Sequence, residues 1–258
     1  MQEVQTLDPQ KIDFDPYRLQ AQVYDALHTA LRDYNAEAHE VMQLIAKYGN
    51  GGKTLLDVAC GTGLHLQHFR PSYRVVGLDR SSAMLDRAAM RLQHVELAQR
   101  DMRNFDLDGR RFSAVTCLCS SIGHMQSLED LSDAIECMAK HLEPGGVLVL
   151  EPWYTPYTWL DRQQPAVVWS GDGSVVRVTL ASYVKKDERT EVEHALLQMH
   201  HHMGHPLETG YFISQFLTSL FTDEQYEEAI ERAGLKLVYE SAGINASSHP
   251  VYIGINPR

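Results

Sequence analysis

The 258-residue chain has only four cysteines, Cys60, Cys117, Cys119 and Cys137. They are too few for a disulfide framework, and no pair has the two-residue spacing of a zinc knuckle, so a reducing compartment fits them. Basic residues are also short, with 23 Lys and Arg against 34 Asp and Glu and a formal charge of -11. A nucleic-acid backbone or an anionic membrane would reward a basic face, so both are poor partners and a small-molecule substrate is expected. No apolar run approaches the roughly eighteen residues of a membrane span. The first fifteen residues are polar and acidic, without the basic flank and apolar stretch of a signal peptide. A cytoplasmic protein, neither exported nor membrane-spanning, is therefore expected. Internal repeats and low-complexity tracts are absent as well.

With 44% hydrophobic residues the chain can bury a full core, and its length fits one α/β domain carrying an insertion. Apolar residues at helical spacing predict one or two amphipathic helices over residues 17–48. Strands are expected at 54–59, 74–79, 95–99, 113–119 and 147–151, with helices at 63–69, 82–92 and 128–142 and a turn at 143–146. That alternation implies a doubly wound parallel sheet. Beyond Pro152 the pattern changes to successive strands at 167–168, 175–183, 190–202 and 212–221 with no helix between them, an antiparallel lid. A helix at 223–233, capped by Thr222 and Gly234, leads to strands at 235–240 and 251–255. The expected organisation is a helical cover (residues 1–50), a cofactor-binding α/β core (51–151), the lid (152–221) and a C-terminal helix and strands completing the core (222–258).

The strongest motif is Leu55-Leu56-Asp57-Val58-Ala59-Cys60-Gly61-Thr62-Gly63, an apolar strand running into a glycine turn that opens a helix. Gly61 and Gly63 let the backbone approach a ligand, and the helix N-terminus offers N–H groups to an anion such as a carboxylate. Dinucleotide enzymes need a third glycine where this chain has Leu66. Asp57, inside the strand, suits a ligand amino group. Asp79, at the end of the second strand, can accept both hydroxyls of a ribose. Asp101 follows the third strand in the same relation and can meet an exocyclic adenine amine, with Met102 offering a backbone N–H and an apolar surface. Any one of these carboxylates could be a turn or cap residue; three in order at successive strand ends, with the glycine turn, point to S-adenosylmethionine.

These residues resemble class I methyltransferases. With Gln99-Arg100-Asp101-Met102-Arg103-Asn104-Phe105, Ser120-Ser121-Ile122-Gly123-His124 and Glu151-Pro152-Trp153, the match narrows to the antibiotic-sugar N,N-dimethyltransferases that complete desosamine and mycaminose. The resemblance covers nearly the whole chain and implies a Rossmann-like class I methyltransferase sheet with an antiparallel β lid insertion. It further implies that His124 and Tyr17 lie beside the substrate amine, that Tyr24 and Tyr34 cover the methionine end of the cofactor, and that the backbone at Ala59 and Cys117 borders it. The family's arginine for the substrate pyrophosphate is missing, because this chain reads Ala246-Ser247-Ser248-His249-Pro250. Arg177 in the lid could replace it, or could be a solvated strand arginine.

His124, just beyond the carboxyl end of the strand at 113–119, is expected to titrate near neutrality and so could hold or accept the amine proton. Tyr17 reads equally as a hydrophobic staple, and Trp153 and Tyr154 as substrate-bounding aromatics or as lid packing. The histidines at 194, 200, 201, 202 and 205 invite a metal reading, but successive strand residues face opposite ways and no metal is expected. The expected activity is N-methylation of a small amine, with an amino-sugar nucleotide as first candidate. An aromatic nitrogen heterocycle, another natural-product amine, O-methylation, a cofactor-binding module without catalysis and a homodimer through the lid all stay open at this point.

Overall fold

The computed structural model describes residues 15, 17–159, 166–184, 192–205, 208–240, 243–244 and 250–257. A first helix, α1 (Tyr24–His28), and a longer one, α2 (Tyr34–Tyr48), precede the sheet. The Asp33 carboxylate caps α2 by accepting from the amides of Asn35 and Ala36. The core then alternates β1 (Thr54–Val58), α3 (Leu66–Phe69), β2 (Arg74–Asp79), α4 (Ser82–Arg91), β3 (Glu96–Gln99), β4 (Phe112–Cys117), α5 (Leu128–Lys140) and β5 (Leu142–Leu150). After α6 (Pro156–Trp159) come β6 (Ala166–Trp169), β7 (Val175–Val184), β8 (Glu193–His205) and β9 (Glu208–Leu220). The chain closes with α7 (Asp223–Arg232), β10 (Lys236–Glu240) and β11 (Val251–Ile255).

Seven strands form one sheet in the order β10-β11-β5-β4-β1-β2-β3. The pairs from β5 through β3 are parallel, whereas β11 runs antiparallel to both β5 and β10. Strand order reverses between β1 and β4, so a crevice opens at their carboxyl ends, where open α/β sheets bind ligands. Alternation along β1 splits the core. Leu56 and Val58 pack with α5 and α7 on one face, and Leu55 packs with α2, α3 and α4 on the other.

The lid is a separate antiparallel sheet, β6-β7-β8-β9, inserted between β5 and α7. Its inner face receives Val23 and Leu27 from the N-terminal segment. Its outer face exposes Trp169, Leu180, Leu196, Tyr211, Ile213 and Leu217. No helix among the described residues is long and apolar enough to cross a membrane.

Several boundaries differ from the sequence reading. Gly63 sits at φ +77° and delays α3 to Leu66. A side chain there would press on Leu92 at 2.6 Å, so the turn itself requires glycine. Helix α5 stops at Lys140, and residues 143–146 form a register shift within β5 rather than a turn before it. The stretch after Pro152 does contain a helix, α6, whose first turn is held by the Thr155 hydroxyl. Residues 190–191, placed in a strand by the sequence, and 246–249, where the family arginine is missing, lie outside the described residues.

Candidate active site at the carboxyl edge of the parallel sheet

The turn after β1 holds Ala59, Gly61 and Gly63 at positive φ, which bends the chain sharply at the mouth of the crevice. Register places Asp57 opposite Thr116 of β4, and the Thr116 hydroxyl donates to its carboxylate at 2.7 Å. Asp57 is only 3% exposed. Burial raises its pKa to about 6, against the lowering influence of His65 and Thr116. Asp79 accepts from the amides of Gly61 at 2.7 Å and Ser81 at 2.8 Å. Its pKa also rises to about 6, burial outweighing those N–H donors. Two carboxylates thus sit desolvated, each with too few donors to keep it fully ionised, as expected where a ligand supplies the missing N–H and O–H groups.

Asp101 differs from these two. Arg103 grips both of its oxygens, at 3.0 and 2.7 Å, and also reaches Asp130 at 2.8 Å. The hydrogen bonds from Arg103 hold the Asp101 carboxyl below its usual range. Met102 packs against the core beside it.

The N-terminal segment crosses over this crevice. The Ser81 hydroxyl donates to Asp15 at 2.5 Å. The Thr62 hydroxyl and Arg91 both bond Asp25, each at 2.5 Å. The Tyr17 hydroxyl lies 2.7 Å from Nε2 of His124, and the ring of Phe216 on β9 touches both, with centroids at 4.9 and 5.9 Å. The two residues named for the amine are therefore in direct contact, although 107 positions apart.

One property of His124 departs from expectation. Burial pushes its pKa down to about 4, so it does not titrate near neutrality but stays an uncharged imidazole there. The Tyr17 phenol is pushed up, by burial first and then by the neighbouring Asp79 carboxylate, and keeps its proton. The hydroxyl then donates to the ring nitrogen.

Tyr24 stacks on His28 at 3.8 Å. Tyr34 is buried beside His65 at 4.7 Å, its hydroxyl without a hydrogen-bond partner. Cys117 is fully buried, and its carbonyl accepts from the Glu151 amide at 3.0 Å. Trp153 and Tyr154 pack on each other and on Trp159, at 5.4, 4.9 and 5.5 Å. Trp153 and Tyr154, both half-buried, adjoin Ala195 and Leu220 of the lid. Arg177, far from being solvated, is 8% exposed on the inner face of the lid.

A network that the sequence did not reveal lies behind these groups. Arg32 bonds both oxygens of Glu37, at 2.9 and 3.0 Å, and both of Glu151, at 3.1 and 3.3 Å. Glu37 also meets His65 at 3.0 Å. Burial works against a charge on His65, but its contacts to Cys119 and Glu37 outweigh burial and lift it to about 10. Glu151 in turn accepts from the Cys119 amide at 2.7 Å. Cys119 and Ser120 both have left-handed φ values, 52° and 58°, a costly pair for residues with side chains. The clamp from Glu151 thus fixes the bend that delivers the short 3₁₀ turn Ser121–His124. The visible signal was Glu151 itself, a carboxylate directly after an unbroken aliphatic strand.

This fold, with a glycine turn and acidic strand ends at the reversal point, defines an S-adenosylmethionine-dependent methyltransferase, and the desolvated Asp57 and Asp79 fit that cofactor. A methyltransferase domain family matches residues 55–146. Over 238 residues the chain is 37% identical to a dTDP-4-amino-2,3,4,6-tetradeoxy-D-glucose N,N-dimethyltransferase of Saccharopolyspora spinosa, covering 91% of this chain and 92% of the relative. It is equally 37% identical to a dTDP-3-amino-3,4,6-trideoxy-alpha-D-glucopyranose N,N-dimethyltransferase of Streptomyces venezuelae, covering 91% and 97%. The crystal structure of Streptomyces venezuelae DesVI superposes with a TM-score of 0.81 at 34% identity, covering 96% of this chain and all (100%) of that one. SAM-bound CalS10, an amino pentose methyltransferase, gives 0.76 at 27% identity, covering 96% and 100%. The chain belongs to the family of the sugar N,N-dimethyltransferases.

Proposed function

We propose that the protein transfers methyl groups to the amine of a dTDP-linked amino sugar, as the names of its relatives state for them, within a cytoplasmic pathway making an antibiotic sugar. The observation that carries this reading is the direct contact between Tyr17 and His124, beside the crevice that holds Asp57 and Asp79. S-adenosylmethionine, when bound, supplies an electrophilic methyl on a sulfonium. Asp57, Asp79 and Asp101 would hold its amino, ribose and adenine groups, with Tyr24, Tyr34 and the backbone at Ala59, Gly61, Gly63, Met102 and Cys117 around it.

An amine attacks only through a free lone pair, so the protein must receive it neutral, aim it and exclude water. The Tyr17 oxygen, polarised by donating to neutral His124, has lone pairs left to accept an amine N–H. When the N–C bond forms and the S–C bond breaks, the nitrogen carries a surplus proton. The Tyr17–His124 pair can take it, and an imidazole with a pKa near 4 releases it to solvent rather than storing it. Trp153, Tyr154 and Arg177 would bound the substrate from the lid side, and a second copy of the chain would cover the exposed outer lid face. Incubation with S-adenosylmethionine and a dTDP-3-amino or dTDP-4-amino sugar should give mono- and dimethylated products by mass spectrometry. A substrate carrying hydroxyl in place of the amine should stay unmodified. Methylation of that hydroxyl analogue, or inertness toward every amino sugar offered, would overturn the reading.

A further inference from the structure

Most arginines that turn inward near the crevice are saturated by carboxylates. Arg32 is held by Glu37 and Glu151, Arg91 by Asp25, and Arg103 by Asp101 and Asp130. Arg177 is different. It is 8% exposed, its Nε has no hydrogen-bond partner, and among the described residues no carboxylate pairs with it. Its recorded neighbour is Nε2 of His28, 3.3 Å from Nη1, itself a nitrogen base. Directly across the sheet stands His201, fully buried and with Nδ1 also unpartnered. Burial holds both histidines uncharged, His28 at about 3 and His201 at about 4, each also opposed by the charge of Arg177.

A buried guanidinium without a counter-charge is costly, and buried polar groups without partners call for a missing one. The missing partner must accept hydrogen bonds and carry negative charge. We propose that Arg177, with His201 and His28, forms an oxyanion subsite for the diphosphate of the substrate. The subsite rests on the nucleotide-sugar reading above and adds where the nucleotide's charge is read.

Position supports the assignment. His201 and Leu197 share a face of β8, and Leu197 pairs with Phe216, the residue that touches Tyr17 and His124. Four residues along the strands and two strands across put the backbones of Arg177 and Phe216 about 17 Å apart. The span suits a hexose bearing a diphosphate held between two long side chains, and Gln20, which donates to Met199 midway along that face, would move aside for it. The planar fork of arginine suits two phosphate oxygens at once, and α1 would close over them.

The experiment is calorimetric titration of the S-adenosylhomocysteine-loaded protein with dTDP and, separately, with thymidine. The wild type should bind dTDP at least about tenfold more tightly than thymidine. Arg177→Met should weaken dTDP about ten- to a hundredfold while leaving thymidine and S-adenosylhomocysteine affinities unchanged. It should also melt no lower than wild type without ligand, because it removes an uncompensated buried charge; a merely structural arginine would show the opposite. Arg177→Lys, which keeps the charge but loses the fork, should fall between and serves where the methionine variant does not fold. Unchanged dTDP affinity in either variant overturns the subsite. Weakened S-adenosylhomocysteine binding instead assigns the anion to the cofactor's carboxylate and equally overturns it. If the wild type ignores dTDP yet methylates a nucleotide-free amine, this inference and the proposed function fall together.

Discussion

Cofactor binding should be coupled to proton release from Asp57 and Asp79, and the coupling has a calculable size. Both carboxyls are raised to about 6 in the ligand-free protein, chiefly by burial. A raised carboxyl means that the folded state holds its proton more tightly than the unfolded chain. These two groups therefore stabilise the empty protein at low pH, and that contribution is lost as the pH rises from about 4 through about 6. A ligand amine or ribose needs the ionised form as acceptor. Each site then multiplies the apparent dissociation constant by one plus the ratio of proton activity to its acid constant. For two sites that is a factor of about four at pH 6 and about a hundred at pH 5, relative to pH 8.

The nearby imidazoles do not blur this window, since His65 is held up at about 10 while His124 and His28 sit at about 4 and 3. Calorimetry with S-adenosylhomocysteine from pH 5 to 8, repeated in two buffers of different ionisation enthalpy, reads both the affinity and the protons released. Asp79→Asn should leave one titrating site and shrink the change to about elevenfold. An affinity constant within threefold over this range, with no net proton release, would refute the reasoning and remove both carboxylates from the ligand.

His124→Ala should lower methyl transfer by about two to four orders of magnitude, and Tyr17→Phe by about tenfold for the single hydrogen bond lost. Both should keep near-normal S-adenosylhomocysteine affinity; loss of that affinity would mean the pair supports the cofactor instead. Arg32→Ala leaves Glu37 and Glu151, 1% and 3% exposed, without their shared cation. It should cost about 3 kcal/mol of stability, read as a fall in thermal midpoint. Gly123→Ala would place a methyl 2.9 Å from Thr218 and 3.2 Å from Trp153, shifting the turn that carries His124. Turnover should drop while cofactor affinity holds, and an unchanged kcat would show that the turn tolerates displacement.

The sequence revealed the parts of this molecule that depend on local order. Asp57 near the end of β1, Asp79 at the end of β2 and Asp101 just past β3 belong to successive strands, so chain order alone places them along one edge once the strands are parallel. The lid strands were legible from composition, although α6 was missed because a single turn started by Pro156 and held by Thr155 is too short to set up a periodicity. What escaped were properties created by long-range contact. Arg32 and Glu151 lie 119 residues apart, and nothing near either announces the other. The neutrality of His124 is a consequence of burial, which no motif records.

Arg177 shows the limit most clearly. An alternating strand tells which residues share a face but not which face turns inward, so a solvated arginine and a buried one read alike. Only the docking of Val23 and Leu27 onto the lid decides between them. The same docking joins two halves of the site, because α1 carries His28 and Tyr24 to Arg177 while Tyr17, just ahead of it, meets His124. A substrate anchored at Arg177 would therefore press on the segment that holds its amine, and loss of the anion should reduce turnover as well as affinity. In steady-state terms Arg177→Lys should lower kcat together with raising KM for the amino-sugar substrate. A change confined to KM would mean that the lid anchor and the Tyr17–His124 pair act independently.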